Sequence, residues 1–118
     1  VAYAIKHLNP KVKVYGVQAA GSASMIASQQ EGAPITLDQA DTFADGIAVK
    51  HPGDLTYRLV SEYVDGIVTV TEDEIATAIL ALLEKQKVIA EGAGAVSFTS
   101  SPSRGKRWCA SSPGETLT

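Results

Sequence analysis

Residues 63–96 read YVDGIVTVTEDEIATAILALLEKQKVIAEGAGAV, and the order of patterns within them decides the fold. GIVTV, residues 66–70, is a short β-branched run opened by a glycine, the pattern of a strand buried on both faces. Thr71 and Glu74 stand at capping-box spacing, and Glu72 and Asp73 add first-turn acids that suit the positive end of a helix dipole. Ile75, Ile79, Leu82 and Leu83 then recur on one helical face, and Lys85 and Lys87 sit where a helix C-terminus favours cations. VIA, residues 88–90, reads as the edge of a strand running into EGAGA at 91–95, where small residues open another helix.

Upstream, the alternation continues. VAYAIKHL ends a helix at Asn9 and Pro10, because proline supplies no amide hydrogen and disfavours helix in the residue before it. KVKVYGVQ, residues 11–18, alternates through Val12, Val14 and Val17 and predicts a strand with Lys11 and Lys13 on its wet side. GSASMIASQQEG predicts a short helix stopped by Gly32. Residues 33–53 form a long connection with turn signals at Pro34, Asp45–Gly46 and Pro52–Gly53. DLTYRLVSEYV then places Leu55, Leu59, Val60 and Val64 on one helical face. Helix and strand in alternation predict an α/β fold, a sandwich built on a parallel sheet. Ligands in such folds bind beyond the carboxyl ends of the strands, which directs attention to residues 18–21, 70–72 and 91–94 and to the loop around Asp45.

The 118 residues allow one domain at most, and 45% hydrophobic with 19% charged residues is an ordinary globular composition. A formal net charge of −3 gives no reason to expect nucleic acid or an anionic membrane as a partner. No apolar stretch is long enough to span a bilayer, and the first ten residues do not read as a signal peptide, so a cytoplasmic location is expected. The single cysteine, Cys109, makes no internal disulfide and no cysteine-based zinc site. The chain starts without methionine inside an apolar helical pattern, and Val1 is read as a cut point.

As bare pattern, the candidate sites stay ambiguous. EGAGA could bring backbone amides close to a ligand, or it could simply be a tight strand-to-helix turn. It lacks the spacing of a dinucleotide fingerprint or a P-loop. Ala44, Asp45 and Gly46 offer a carboxylate beside a permissive glycine, and an Asx turn explains them more simply than a site does. His7 and His51 read as surface residues. No nucleophilic triad or paired carboxylates can be assembled, and two isolated histidines make a poor metal site.

The segments KVYGVQAAGSASM, ADGIAVKHPGD and YVDGIVTVTEDEIATAILALLEKQKVIAEGAGAV resemble the bacterial threonine dehydratases (threonine ammonia-lyases). These are pyridoxal-phosphate enzymes of the tryptophan-synthase-β-like fold, fold type II, and the likeness runs from about Val1 to Val96. It implies a partial three-layer sandwich, incomplete in this chain, and the family's β-elimination of threonine to 2-oxobutanoate and ammonia, a step in amino-acid metabolism that includes isoleucine biosynthesis. It implies pyridoxal 5'-phosphate as cofactor, a small amino acid as substrate and a homo-oligomer. By the same resemblance, Glu91, Gly92 and Ala93 lie along the cofactor ring, and Ala44, Asp45 and Gly46 lie beside the bound amino acid. Gln18, Ser22 and Ser24 fall where cation-binding relatives have a carboxylate, a backbone carbonyl and a second carboxylate. Hard cations want charged oxygens, so no metal is expected here.

The resemblance also implies parts not found in these residues: the Schiff-base lysine, the phosphate loop and the serine that bonds the ring nitrogen. No catalytic residue is therefore assigned, and the isolated polypeptide is expected to be inactive. A non-catalytic ligand- or partner-binding fragment, a serine racemase, and another lyase of the same fold are the alternatives.

From Ser97 the composition changes: nine of the last 22 residues are Ser or Thr and no apolar period survives. Residues 1–96 are thus read as part of a catalytic domain and 97–118 as an aberrant, disordered tail. The codons of RWCASSPGETLT, residues 107–118, permit a specific account of it. Tryptophan has one codon and cysteine begins TG, so the frame displaced by one base must read valine across Trp108 and Cys109. The other overlaps permit V-V-C, two apolar residues, then S-G-G-N-I-D, the strand VVCVLSGGNID with which the resembling family continues. The tail is read as a one-base-shifted translation of that strand.

Overall fold

The computed structural model describes residues 1–99, and the reading of a shifted-frame tail falls largely outside them, as does Cys109. Two strands, β1 (Tyr15–Ala19) and β2 (Gly66–Val70), run parallel, with Tyr15 opposite Gly66 and Ala19 opposite Val70. Parallel neighbours need a long crossover. The intervening chain supplies it with α2 (Ser24–Glu31), the 33–53 connection and α3 (Asp54–Tyr63). Before β1 stands α1 (Ala2–Leu8); after β2 come α4 (Glu72–Ala81) and the single turn α5 (Gly92–Ala95).

Side-chain alternation sorts these helices into layers. Ala19 and Val70 belong to a buried cluster with Ala44, Ile75 and Val96, against which Val17, Ile47 and Ile79 pack. That face of the sheet therefore carries α4 and the turn following α5. Gln18, one residue out of phase, points the other way: its Oε1 accepts the Ile26 amide of α2 at 3.2 Å. On that side α3 packs against both α1 and α2. The arrangement is a partial α/β/α sandwich.

The capping box forms as the sequence predicts. Glu74 N–H donates to Thr71 Oγ1 at 3.3 Å, and Thr71 N–H donates to Glu74 Oε2 at 2.8 Å. Ile75 is fully buried at the centre of the core.

Three expectations need correction. The first strand begins at Tyr15 and not at Lys11, because Asn9 closes a turn over residues 9–12 and the Val14 amide is taken by Asp65 Oδ2 at 2.7 Å. The helix starting at Glu72, by contrast, ends where expected: a wide turn at Leu82–Gln86 keeps Lys85 in its last turn, and Lys87 halts it with φ 56°, a left-handed conformation. Residues 88–90 make one isolated bridge at Ile89 instead of a strand; a strand needs a ladder, and Ile89 is 60% exposed. The stripe expected on α3 is also only partly covered: Val60 and Val64 are half-buried, while Leu55 and Leu59 are exposed.

The α1–α3 side is pinned by charge. Asp65 accepts from Lys6 Nζ at 2.7 Å and from the Val14 amide, with Lys13 Nζ at 3.5 Å. The Lys6 hydrogen bond, then the Val14 amide, hold its carboxyl down at about 2. Tyr3, His7 and Tyr63 stack beside this network, with Tyr3 edge-on to Tyr63 at 5.2 Å. His7 is a surface residue whose Nδ1–H donates to the Tyr3 carbonyl at 2.8 Å.

Candidate functional site

Both strands end at buried residues, Ala19 and Val70, and the chain leaves them on the same edge of the sheet. The 33–53 connection must cross this edge with little regular structure of its own. It does so by tacking its backbone to side chains and backbone of its neighbours. Asp41 N–H donates to the Gly21 carbonyl at 2.9 Å, and the approach is so close that a Cβ on Gly21 would overlap the Asp41 carbonyl oxygen. Phe43 N–H donates to Glu72 Oε2 at 3.0 Å. Ser22 is buried and its hydroxyl reaches the Ile47 carbonyl at 3.2 Å and the Val49 carbonyl at 3.4 Å.

These ties deliver Ala44, Asp45 and Gly46 onto the EGAGA turn. Asp45–Ile47 is a single helical turn that packs directly on α5. The two motifs interlock through their small residues. A Cβ on Gly46 would stand 2.9 Å from the Ala93 methyl, and a Cβ on Gly92 would stand 3.1 Å from Ala44 and 3.0 Å from Phe43. Ala44, Ala93, Gly94 and Ala95 are buried in this seam, whereas Asp45 and Glu91 lie exposed at its rim. Two motifs that residue pattern alone could not connect, 45 and more residues apart in the chain, therefore form one surface.

His51 is exposed and shares a 3.0 Å hydrogen bond with Thr36 Oγ1, away from this seam's two motifs. Gln18 and Ser22 are committed to the Ile26 amide and to the Ile47 and Val49 carbonyls, and Ser24 is buried. Among the described residues no group of three or more His, Cys, Asp or Glu side chains converges as a metal site would require. Nor is any described helix long and apolar enough to cross a membrane. Of the described lysines, Lys6 and Lys13 engage Asp65, and Lys50 donates to the Asp38 carbonyl at 3.2 Å.

Pattern reading missed the parts played by Ser22 and Glu72 in holding the loop. Ser22 carries no local signal, since a serine in a small-residue run looks the same whether it faces solvent or a distant carbonyl. Glu72 was legible only as a first-turn acid.

Comparison with known proteins shows the family to which the chain belongs. The family described as pyridoxal-phosphate dependent enzyme matches residues 1–107. An L-threonine ammonia-lyase of Thermotoga maritima is 59% identical over 96 residues, 81% of this chain and 24% of that protein. Among solved structures, the processed form of threonine deaminase isoform 2 from Solanum lycopersicum aligns with a TM-score of 0.81 at 39% identity, over 84% of this chain and 29% of that one. Maize serine racemase aligns with a TM-score of 0.79 at 32% identity, over 83% and 30%. The chain spans about a quarter of the length of the curated relatives it matches.

Proposed function

This chain belongs to the pyridoxal-phosphate-dependent enzyme family, and on that premise we propose that residues 1–96 are part of the catalytic domain of an L-threonine ammonia-lyase. The 59% identity to the Thermotoga maritima enzyme carries this reading, and the packing of residues 44–46 on residues 91–93 supports it. The reaction is a β-elimination: L-threonine loses its α-proton and β-hydroxyl, and the released enamine takes up water to give 2-oxobutanoate and ammonia.

The residues present fit one wall of a cofactor pocket. A flat ring needs a smooth surface, which backbone provides; the proposal puts the Gly92–Ala93 backbone along it, with the Ala93 methyl packed inward on Gly46 and Glu91 at the rim. When bound, pyridoxal phosphate supplies an electron sink for charge leaving the α-carbon. In this reading Gly46 borders the adjoining amino-acid side, backed by the buried Ala44, and the exposed Asp45 carboxylate gives that side its polarity. The seam contains neither an amine to anchor the cofactor nor a phosphate cradle. The 118 residues by themselves are accordingly proposed to be inactive, and no divalent cation is assigned to Gln18, Ser22 and Ser24.

Serine racemisation is the second reading, favoured by the likeness to maize serine racemase. The decisive experiment expresses the surrounding gene's full reading frame and incubates it with pyridoxal phosphate and either L-threonine or L-serine. Formation of 2-oxobutanoate from threonine supports the proposal; D-serine without oxoacid product selects the racemase. Turnover of threonine by the 118 residues alone, above the rate of free cofactor, contradicts the assignment of inactivity.

A further inference from the structure

Glu72 occupies an unexpected position for a first-turn acid. A carboxylate serving only the helix dipole does so from solvent, as the exposed Asp73 beside it can. Glu72 instead turns inward. Its Oε2 accepts the Phe43 amide at 3.0 Å, and its Oε1 is buried with no hydrogen-bond partner among the described residues. Burying a carboxylate oxygen without a protein partner is costly, and the charge-assisted bond from the Phe43 amide offsets part of that cost.

The bond's location gives it a role. The 41–47 segment has ties to the β1 end of the fold through Gly21 and Ser22. Glu72 provides the tie to α4, and α4 packs on α5 and on the turn that follows it. Phe43 immediately precedes Ala44, so this bond ties the register of residues 43–46 to α4, and through α4 to the turn across the seam. We infer that Glu72 is a positioning residue that locks residues 43–46 onto the Glu91–Ala95 turn. That this lock orders the amino-acid side of a cofactor pocket rests on the function proposed above; the lock itself does not.

Amide hydrogen exchange on the ¹⁵N-labelled 118-residue chain tests it without cofactor. Glu72→Ala should speed exchange at Phe43 by about tenfold or more, the weight of a hydrogen bond to a charged group. Asp45, whose amide donates to the Phe43 carbonyl, should follow, while the ladder amides of β1 and β2 keep their protection. Glu72→Gln retains a carbonyl acceptor at the same reach and should restore Phe43 protection. Glu72→Asp keeps the charge but is one methylene too short and should not. The inference is overturned if Phe43 exchange is unchanged in Glu72→Ala, or if Asp restores protection and Gln does not, which would make the residue a dipole partner. Loss of the ladder amides together with Phe43 would also overturn it, by making Glu72 a support of the whole sheet. Because no arm measures turnover, none of these outcomes bears on the ammonia-lyase proposal, and failure of that proposal leaves the lock standing.

Discussion

The two faces of the sheet are held in different ways. On one, residues 41–47 and 91–96 meet through glycine, alanine and backbone, at distances that leave no room for an added methyl group. On the other, α1 and α3 meet through a charge network centred on Asp65 and a tilted aromatic group, with Tyr3, Leu8, Leu55 and Leu59 left exposed. The first is specified by shape and the second by polar contacts that solvent can replace. Shape is unforgiving because packed interiors do not deform continuously. The proposed site lies on the side where geometry is most tightly determined, as a preorganised wall requires.

The largest test of this contrast is Gly21→Ala. The added Cβ collides with backbone, so the Asp41 tie must break, and a loss of about 3 kcal/mol is expected in urea denaturation. A loss below about 1 kcal/mol would show the loop to be less rigidly placed than its contacts imply. Gly46→Ala is next, at about 2 kcal/mol, because here methyl meets methyl. The pair Gly46→Ala with Ala93→Gly should recover much of that loss, and additive effects would show that the two positions do not touch.

The charged side should respond to pH instead. The Asp65 carboxyl is lowered from 3.8 to about 2, so its contribution is present above 3.8 and is lost as pH falls through about 2. The thermal midpoint of Asp65→Asn should therefore lie below that of the wild type at neutral pH and converge with it across this window. A gap that stays constant to pH 2 would remove Asp65 from the account. The smallest effect belongs to Leu55→Ser, where an exposed side chain should change stability by under about 0.5 kcal/mol. For the proposed absence of a cation site, millimolar magnesium should leave the thermal midpoint unmoved, and a concentration-dependent rise would reverse that proposal.

Much of this was legible in sequence, for local reasons. The capping box at Thr71 and Glu74, the β-branched run at 66–70 and the stop at Gly32 are decided by residues a few positions apart. Boundaries were less legible where a distant group intervened. Nothing near Val14 reveals that Asp65, 51 residues away, takes its amide and delays the strand. The three residues at 88–90 carry strand propensity, but propensity cannot supply a neighbour, and only one bridge forms.

The sequence by itself determined the alternation of elements, the helix caps and the resemblance that pointed to pyridoxal phosphate, because each depends on local spacing or on residues read in order. Only the tertiary structure decided that residues 44–46 and 91–93 share a seam, that Ser22 and Glu72 hold one side of it, and that its glycines are required by contact. Those are facts about separations in space between residues far apart in the chain. A crossover of some 45 residues can return to the sheet edge in many registers, and packing of side chains and backbone selects one.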